Sequence, residues 1–205
     1  MSAGATQSMK IHRFRRLHRF FSAFSALSAV NLLLKEAMLT ELPTEEKYIN
    51  QWQHKGIVYR FSWLGNVPQP PDRVYALAFT AEGQMLLVTD ENWTPACWLP
   101  GGGIEAGETP EQALARELIE EANAKVVKSV RIGIQQTDSS EGYRSFQAFY
   151  WCRVEVEEQF APTHEVTERH LIAPNSFLDT LFWGRSDPKA EMLLDLALEI
   201  ESKQS

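Results

Sequence analysis

The sequence predicts an α/β fold, in which a mixed β-sheet lies between helices that cover both of its faces. Three observations lead to this prediction. Residues 145–157 alternate in side-chain character as a strand does, a well-capped helix of about three turns begins at Pro110, and a second helical pattern follows Asp187. Because strand-like runs lie on both sides of the first helix, the two helices have a common sheet to cover.

Short apolar runs along the chain predict the other strands. They are residues 57–63, 74–79, 85–90 and 126–134. The segment TAEGQ joins the second and third runs, and its glycine favours a hairpin turn. The proline-rich connection GNVPQPPD follows the first run and excludes a helix there. Together these runs supply the sheet on either side of the first helix.

The strand predicted at residues 145–157 has two unlike faces, one largely aliphatic and one mixed. The first face is formed by Phe146, Ala148, Tyr150, Cys152, Val154 and Val156. Beyond this strand, RHLIAP (169–174) predicts another short strand and NSFLDTLFW (175–183) a short helix. The last helix has Asp187 as its cap and Pro188 at its first position.

Residues 1–37 form an N-terminal extension whose composition differs from the rest. Basic side chains and an apolar run, FFSAFSALSAVNLLL, precede the first acid, Glu36. This pattern is typical of a targeting segment, but an appended amphipathic helix, or a true start at Met38, is the favoured interpretation. The run is shorter than the about 20 residues that span a membrane. Residues 38–72 then hold the first strand and the proline-rich connection, and residues 73–205 the main domain.

Charge and cysteine content narrow the class of function. The formal net charge of −7 argues against a broad basic face for a nucleic-acid polymer. Cys97 and Cys152 both lie in apolar surroundings, which favours reduced, buried thiols in a cytoplasmic protein over a disulfide. The oligomeric state stays open, with a homodimer as one alternative.

The helix that begins at Pro110 is specified by its own ends. Thr109 can cap it, and Gln112 completes a Thr-x-x-Gln capping box. Asn123, which tolerates a left-handed conformation, follows the last turn. One side of the helix carries an apolar stripe for the core, formed by Leu114, Leu118, Ala122, Ala115 and Ile119.

The same helix carries Glu117, Glu120 and Glu121 on one narrow face, here called the acidic edge. Like charges at this spacing repel by a few tenths of a kcal/mol per pair, so solvent or a cation must compensate. A compact set of carboxylates suits Mg²⁺, which prefers oxygen ligands and binds together with substrate phosphates; Mn²⁺ is an alternative. Arg116 can orient a carboxylate by a bidentate contact. Acid clusters on helices are more often solvated faces, so this cluster alone does not establish a site.

The residue order around the helix resembles the Nudix box, G-x5-E-x7-R-E-U-x-E-E-x-G-U, where U is aliphatic. Gly102, Glu108 and residues 116–121 (RELIEE) match it, whereas Asn123 stands where the family has glycine and Ala124 where it prefers a larger aliphatic residue. The segments LPGG and GETPEQA are also typical and most similar to the MutT-like branch. The resemblance implies a Nudix α/β/α sandwich and hydrolysis of a nucleoside diphosphate linked to another group.

The resemblance also implies roles for individual residues. The implied metal ligands are Glu117, Glu120, Glu121 and the carbonyl group of Gly101. Glu120, Glu121 and Arg116 would be catalytic, and Gly102 and Glu108 would support the loop and helix. The family often draws a further acid, base or metal ligand from a distal loop. Glu165 and Glu168 are the candidates here, and Glu165 is preferred.

The substrate implied by the resemblance is a nucleotide. The added motifs of the ADP-ribose, coenzyme A and NADH branches are not visible, which favours a nucleoside di- or triphosphate or a modified nucleotide. An ADP-ribose or nucleotide-sugar pyrophosphatase, or a domain that senses a nucleotide without cleaving it, are the alternatives. Tyr143, Phe146 and Trp151 are candidates for stacking on the base, although aromatic residues on strands more often belong to the core.

Overall fold

The structure is a computed structural model that describes residues 49–92, 95–161 and 166–204. Contacts between Cα atoms divide the chain into residues 1–43 and 44–205, and all described residues belong to the second unit. The extension predicted at residues 1–37 therefore lies outside the described residues. Among the helices of the described part, none is long and apolar enough to cross a membrane.

The described residues form a nine-stranded sheet flanked by helices. The strands are β1 (Ile49–His54), β2 (Ile57–Gly65), β3 (Arg73–Phe79), β4 (Met85–Asp90), β5 (Cys97–Trp98), β6 (Gly101–Gly103), β7 (Ala124–Ser139), β8 (Arg144–Val156) and β9 (Val166–Ile172). The helices are α1 (Pro110–Ala122), α2 (Phe177–Thr180) and α3 (Pro188–Ser202), with a 3₁₀ turn at Pro174–Ser176 before α2.

The sheet is mixed, as predicted. Its strand order is β1-β2-β7-β8-β3-β4-β5, with β6 paired to β3 and β9 paired to β4. The β3–β8 pair is parallel and the other pairs are antiparallel. The β3–β6 register places Tyr75 opposite Gly101 and Arg73 opposite Gly103. This pairing holds the glycine-rich segment, residues 101–103, against the central part of the sheet.

Two apolar clusters fill the two faces of the sheet and make the fold an α/β/α sandwich. Strand β8 shows the division, because successive side chains point to opposite faces. Ala148 and Cys152 pack in the cluster with α1, whereas Phe149 and Trp151 pack in the cluster with α2 and α3. Trp151 is 0% exposed and belongs to the core, so it is not available to stack on a base.

The two cysteines also lie on opposite faces of the sheet. Cys97 packs in the cluster with α3 and Cys152 in the cluster with α1. Both are buried free thiols, as the sequence favoured. Burial raises the pKa of the Cys152 thiol well above its ordinary value, because a buried thiolate would lose its hydration.

Several elements differ from the sequence predictions. Strand β1 was not expected, because INQWQH lacks a clear alternation; it lies at the sheet edge and pairs with β2. Strand β7 runs on to Ser139, and β9 begins at Val166 rather than Arg169. The placement of Ile119 in the apolar stripe is wrong, because the residue is 54% exposed. It lies about 100° beyond Leu118, past the buried arc of the helix.

Candidate active site

Helix α1 is held in place at both ends, as the sequence predicts. The Gln112 backbone N–H donates to Thr109 Oγ1 at 3.2 Å, and the Thr109 N–H donates to Gln112 Oε1 at 2.8 Å, which completes the capping box. Asn123 ends the helix in the left-handed conformation, with φ of 47° and ψ of 45°. Because both ends are fixed, the rotation of the acidic edge around the helix axis is fixed as well.

Gly102 and Glu117 form the tightest contact of the site. Glu117 is only 3% exposed. A Cβ atom added at Gly102 would lie 2.5 Å from Glu117 Oε1 and 2.9 Å from Oε2. Only a residue without a side chain allows a buried carboxylate this close to the backbone. The box glycine therefore makes room for one of the predicted metal ligands.

Arg116 organises the carboxylates around it. Its Nε and Nη2 donate to Glu108 Oε1 and Oε2 at 2.8 and 3.0 Å, a bidentate pair. Its Nη1 donates to Glu117 Oε1 at 2.8 Å and to Glu120 Oε2 at 3.2 Å. Its Nη2 also donates to the Gly103 carbonyl oxygen at 2.9 Å. The hydrogen bonds that Arg116 donates to Glu108, and then the one that it donates to Glu117, outweigh burial and raise the pKa of Arg116, so the cation is stable there.

Glu121 reaches the start of the glycine-rich segment. The Gly101 backbone N–H donates to Glu121 Oε2 at 2.9 Å. Gly101 has a φ of +146°, and an added Cβ would lie 2.2 Å from the Val74 carbonyl oxygen. Both facts require glycine. The acidic edge and the glycine-rich segment are therefore one assembly, in which Glu121 holds the backbone of Gly101.

The donor set of this assembly fits a hard divalent cation. All of the side-chain donors on the acidic edge are carboxylate oxygens, which Mg²⁺ and Mn²⁺ prefer. The Arg116 Nη1 atom, a positively charged group, already draws Glu117 and Glu120 to one point. Across the described ranges, no group of three His, Cys, Asp or Glu is already gathered around one metal position. The assignment of Glu117, Glu120 and Glu121 as metal ligands therefore remains a prediction from the sequence.

The other predicted site residues are not all brought together. Phe146 packs against the core cluster on the α1 side. Tyr143 has Ser145, Asp72, Arg73 and Tyr75 as its electrostatic neighbours, and burial is the main cause that raises its pKa to about 12. Its neighbour Tyr75 packs on the other side, in the cluster with α3. The two candidate stacking residues therefore have different surroundings, and their role in substrate binding stays a prediction.

Of the two acids predicted to assist the site, Glu165 and Glu168, the structure describes only Glu168. Glu165 lies outside the described residues, and its assignment remains a prediction. Glu168 lies on β9 with a side chain that is 68% exposed, and its Oε2 is 3.6 Å from His170 Nε2. His170 Nε2 also shares a hydrogen bond of 2.8 Å with Thr89 Oγ1. Glu168 thus has a local partner on its own strand.

The structure adds side chains near the site that the sequence did not single out. Tyr75 lies beside Gly101, since an added Cβ there would be 3.0 Å from its Cδ1. Arg73 Nε donates to the Tyr75 hydroxyl oxygen at 3.1 Å. The Tyr75 ring stacks on Phe149, with 5.7 Å between centroids, and Phe149 lies 5.9 Å from the Trp63 ring. The alternation of β3 could have placed Arg73 and Tyr75 on one face, but only the β3–β6 register shows that they adjoin the glycines.

The fold is that of an α/β/α class of protein in which one acidic helix packs against a glycine-rich segment. Residues 69–193 match the family model described as NUDIX domain. The match covers more than half of the chain, and the protein belongs to the Nudix family. The recognition of the Nudix box, with its MutT-like features, is confirmed.

Similar proteins agree with this assignment. A Bacillus subtilis (strain 168) protein named "Putative 8-oxo-dGTP diphosphatase" is 36% identical over 55 residues, which are 27% of this chain and 37% of that relative. The crystal structure of the Bacillus subtilis pyrophosphohydrolase BsRppH has a TM-score of 0.58 at 19% identity, with 73% of this chain and 96% of that one covered. The NUDIX domain of Shewanella oneidensis NrtR, complexed with ADP ribose, has a TM-score of 0.50 at 19% identity, with 65% and 89% covered. At these identities the two structures show the fold alone.

Proposed function

We propose that this protein is a Mg²⁺-dependent hydrolase that cleaves the diphosphate linkage of a nucleoside di- or triphosphate or a modified nucleotide. The observation that carries the proposal is the convergence of Glu117 and Glu120 on one cationic nitrogen, 2.8 and 3.2 Å away, beside a glycine backbone that Glu121 holds at 2.9 Å. Such a point suits a divalent cation that neutralises phosphate charge. Mn²⁺ satisfies the same donor chemistry.

In this proposal each residue of the site has a separate role. A divalent cation held at the acidic edge would neutralise charge on the diphosphate and would lower the pKa of the attacking water. Glu117, Glu120 and Glu121 hold it, with the Gly101 carbonyl as a further ligand implied by the family resemblance. Arg116 keeps the carboxylates in place, and Glu108 in turn fixes Arg116 through the bidentate pair. Glu165 remains the preferred candidate for the further acid, base or ligand that the family resemblance implies.

The choice of a nucleotide rests on the family and on the named relatives. The Bacillus subtilis relative is named for 8-oxo-dGTP, a modified nucleotide, and BsRppH is named a pyrophosphohydrolase. The NrtR domain was crystallised with ADP ribose, which keeps an ADP-ribose or nucleotide-sugar pyrophosphatase as the second candidate. A sensing domain without turnover is less well supported, because every acid of the box is present. Tyr143 and Phe146 stay candidates for contact with the base.

The test is a substrate panel with Mg²⁺. Canonical and oxidised nucleoside triphosphates, nucleoside diphosphates and ADP-ribose are incubated with the protein, and pyrophosphate, phosphate and AMP are measured separately. Pyrophosphate or phosphate from nucleoside phosphates is the expected result. AMP from ADP-ribose alone would move the assignment to the second candidate. Tight binding of nucleotides without any product would instead establish a sensor.

The remaining predictions about cellular context do not follow from the site. The nucleotide is the expected partner, and a nucleic-acid polymer is not. A cytoplasmic location and a homodimer remain predictions from the sequence. Gel filtration coupled to light scattering would test the homodimer, and it should be run on the full chain and on a chain that begins at Met38.

A further inference from the structure

Lys189, in the first turn of α3, is a buried cation in the wall of an aromatic cage. The residue is 5% exposed. Its Nζ lies 4.6 Å from the centroid of Trp183, 5.4 Å from that of Phe149 and 5.5 Å from that of Phe61. A buried ammonium loses hydration, and a cation at a helix N-terminus opposes the helix dipole. The position of Lys189 therefore departs from two general preferences, that charged groups are solvated and that cations avoid helix N-termini. Departures of this kind concentrate at functional sites.

The polar groups around Lys189 form a connected network. Lys189 Nζ donates to Gln135 Oε1 and lies 3.4 Å from Asp187 Oδ2. Gln135 Nε2 donates to Gln147 Oε1 at 2.6 Å and to Thr137 Oγ1 at 3.2 Å. Burial lowers the pKa of Lys189, and Asp187 opposes this effect. Amide and ammonium groups are thus set among aromatic rings at one place on the α3 side of the sheet.

This cage is connected to the proposed active site through shared rings. Phe149 contacts both Lys189 and Tyr75, and Tyr75 lies beside Gly101. Phe149 is buried, whereas Phe61 and Trp183 are partly exposed, so the outer wall of the cage reaches the surface. Aromatic walls with a few well-placed polar groups are typical of small-molecule sites, and bases stack on such rings.

We propose that the Lys189 ammonium recognises a carbonyl oxygen on the base of the nucleotide substrate and so favours keto bases over amino bases. The proposal rests on the proposed function, since it assumes a nucleotide whose diphosphate lies at the acidic edge. A charged lysine has only donors. The carbonyl oxygen of hypoxanthine, guanine or uracil can accept a hydrogen bond from Lys189 Nζ in place of Gln135 Oε1. The amino group of adenine or cytosine is itself a donor, so it cannot accept that hydrogen bond.

Two substrate pairs isolate this interaction. Deoxyinosine triphosphate and dATP differ as carbonyl against amino group at one ring position, and dUTP and dCTP differ in the same way. For the unaltered protein, kcat/KM should favour the keto member of each pair by about ten- to a hundredfold, the factor expected of one hydrogen bond to a charged group. In Lys189→Met, which keeps the length and apolar contacts of the side chain, both ratios should fall towards one.

Arg153→Met is the matched control. Arg153 also ties the sheet to α3, because its Nη2 pairs with Glu201 Oε1 at 2.6 Å, but it lies outside the cage. Only Lys189→Met should change the keto-to-amino ratios, whereas Arg153→Met should leave them as they are in the unaltered protein. If the unaltered protein has the same kcat/KM for both members of each pair, or if Lys189→Met leaves the ratios unchanged, Lys189 has a structural role only and the proposal is overturned.

A binding measurement separates failure of this proposal from failure of the proposed function. If no nucleotide is turned over, the affinities for dIDP and dADP are compared by calorimetry. A keto preference that Lys189→Met abolishes would uphold the role of Lys189 in a protein that binds nucleotides without cleaving them. Equal affinities, or no binding of either nucleotide, would overturn it.

Discussion

Gly102 and Glu117 lie so close together that no side chain fits between the glycine backbone and the carboxylate. A Cβ at position 102 would be 2.5 Å from Glu117 Oε1. The carboxylate that accepts from Arg116 Nη1 at 2.8 Å is therefore pressed against the backbone of β6. The contact places the glycine-rich segment directly against the acidic edge.

Substitution of Gly102 by alanine should cost both stability and activity. The new methyl group forces the buried Glu117 carboxylate to shift from its hydrogen bond with Arg116, at a cost of about 1–3 kcal/mol in the free energy of unfolding. Because Glu117 is a proposed metal ligand, nucleotide turnover should fall together with the stability. Gly103→Ala is the control, since an added Cβ there meets nothing within 4 Å. Thermal melts and nucleotide turnover compare the two variants, and equal effects would argue against the contact.

Replacement of Arg116 by lysine should weaken metal binding at the proposed site while keeping the positive charge. Lysine cannot form the bidentate pair with Glu108 and at the same time contact Glu117 and Glu120. We expect the Mg²⁺ concentration for half-maximal turnover to rise by about ten- to a hundredfold. Arg185→Lys is the control, because Arg185 forms a bidentate pair with Asp179 at 2.7 and 2.9 Å on the exposed surface. An unchanged Mg²⁺ dependence in Arg116→Lys would contradict the positioning role.

Substitution of Glu120 by glutamine should abolish most turnover and leave the fold intact. The side chain keeps its size but loses the charge that a divalent cation needs, so we expect a loss of at least about a hundredfold. Glu111→Gln on the same helix is the control. Glu111 accepts from the Tyr150 hydroxyl at 3.0 Å, and glutamine retains an acceptor oxygen there. Near-normal turnover of Glu120→Gln with an unaltered melting curve would remove Glu120 from the site.

The features that the sequence predicts well are local ones. The capping box of Thr109 and Gln112, and the left-handed end at Asn123, depend on residues a few positions apart, and the structure confirms them. Helix periodicity likewise places the glutamates on one edge. The same periodicity could not tell which side of the helix is covered, and so it assigned Ile119 to the core.

The features that the sequence does not predict depend on pairing between distant segments. Glu117 is buried because β6 packs against α1, and Tyr75 adjoins Gly101 because β6 pairs with β3. From the sequence alone, Lys189 would be expected to be solvent-exposed, since lysine near the start of a surface helix usually is. Only the docking of α3 on β7 and β8 brings it to Gln135 and Phe149. Strand register and helix docking decide these contacts, and a single sequence does not encode them locally.

Asn123 should be better than either glycine or alanine at the end of α1. Its φ is positive, which alanine adopts only at a cost of about 1 kcal/mol. Its Oδ1 also accepts from the Ala161 backbone N–H at 3.0 Å, which glycine cannot replace. We therefore expect Asn123→Gly to lower the free energy of unfolding by about 0.5–1.5 kcal/mol, and Asn123→Ala to lower it further. Urea unfolding gives both values, and a more stable glycine variant would show that the Ala161 contact contributes nothing.

The pH dependence of stability should reveal the buried charge of Lys189. Its pKa in the folded protein is lowered from 10.5, mainly by burial. Between the lowered pKa and 10.5 the unfolded chain binds more protons than the folded one, so rising pH favours folding through this group. Below the lowered pKa the full cost of the buried charge is present. The free energy of unfolding of the unaltered protein, relative to Lys189→Met, should therefore increase as the pH is raised towards 10.5.

Lys125→Met, at an exposed position on β7, serves as the control for loss of one positive charge. A difference that stays flat, or that falls with pH, would mean that the Lys189 amine is well solvated and not caged.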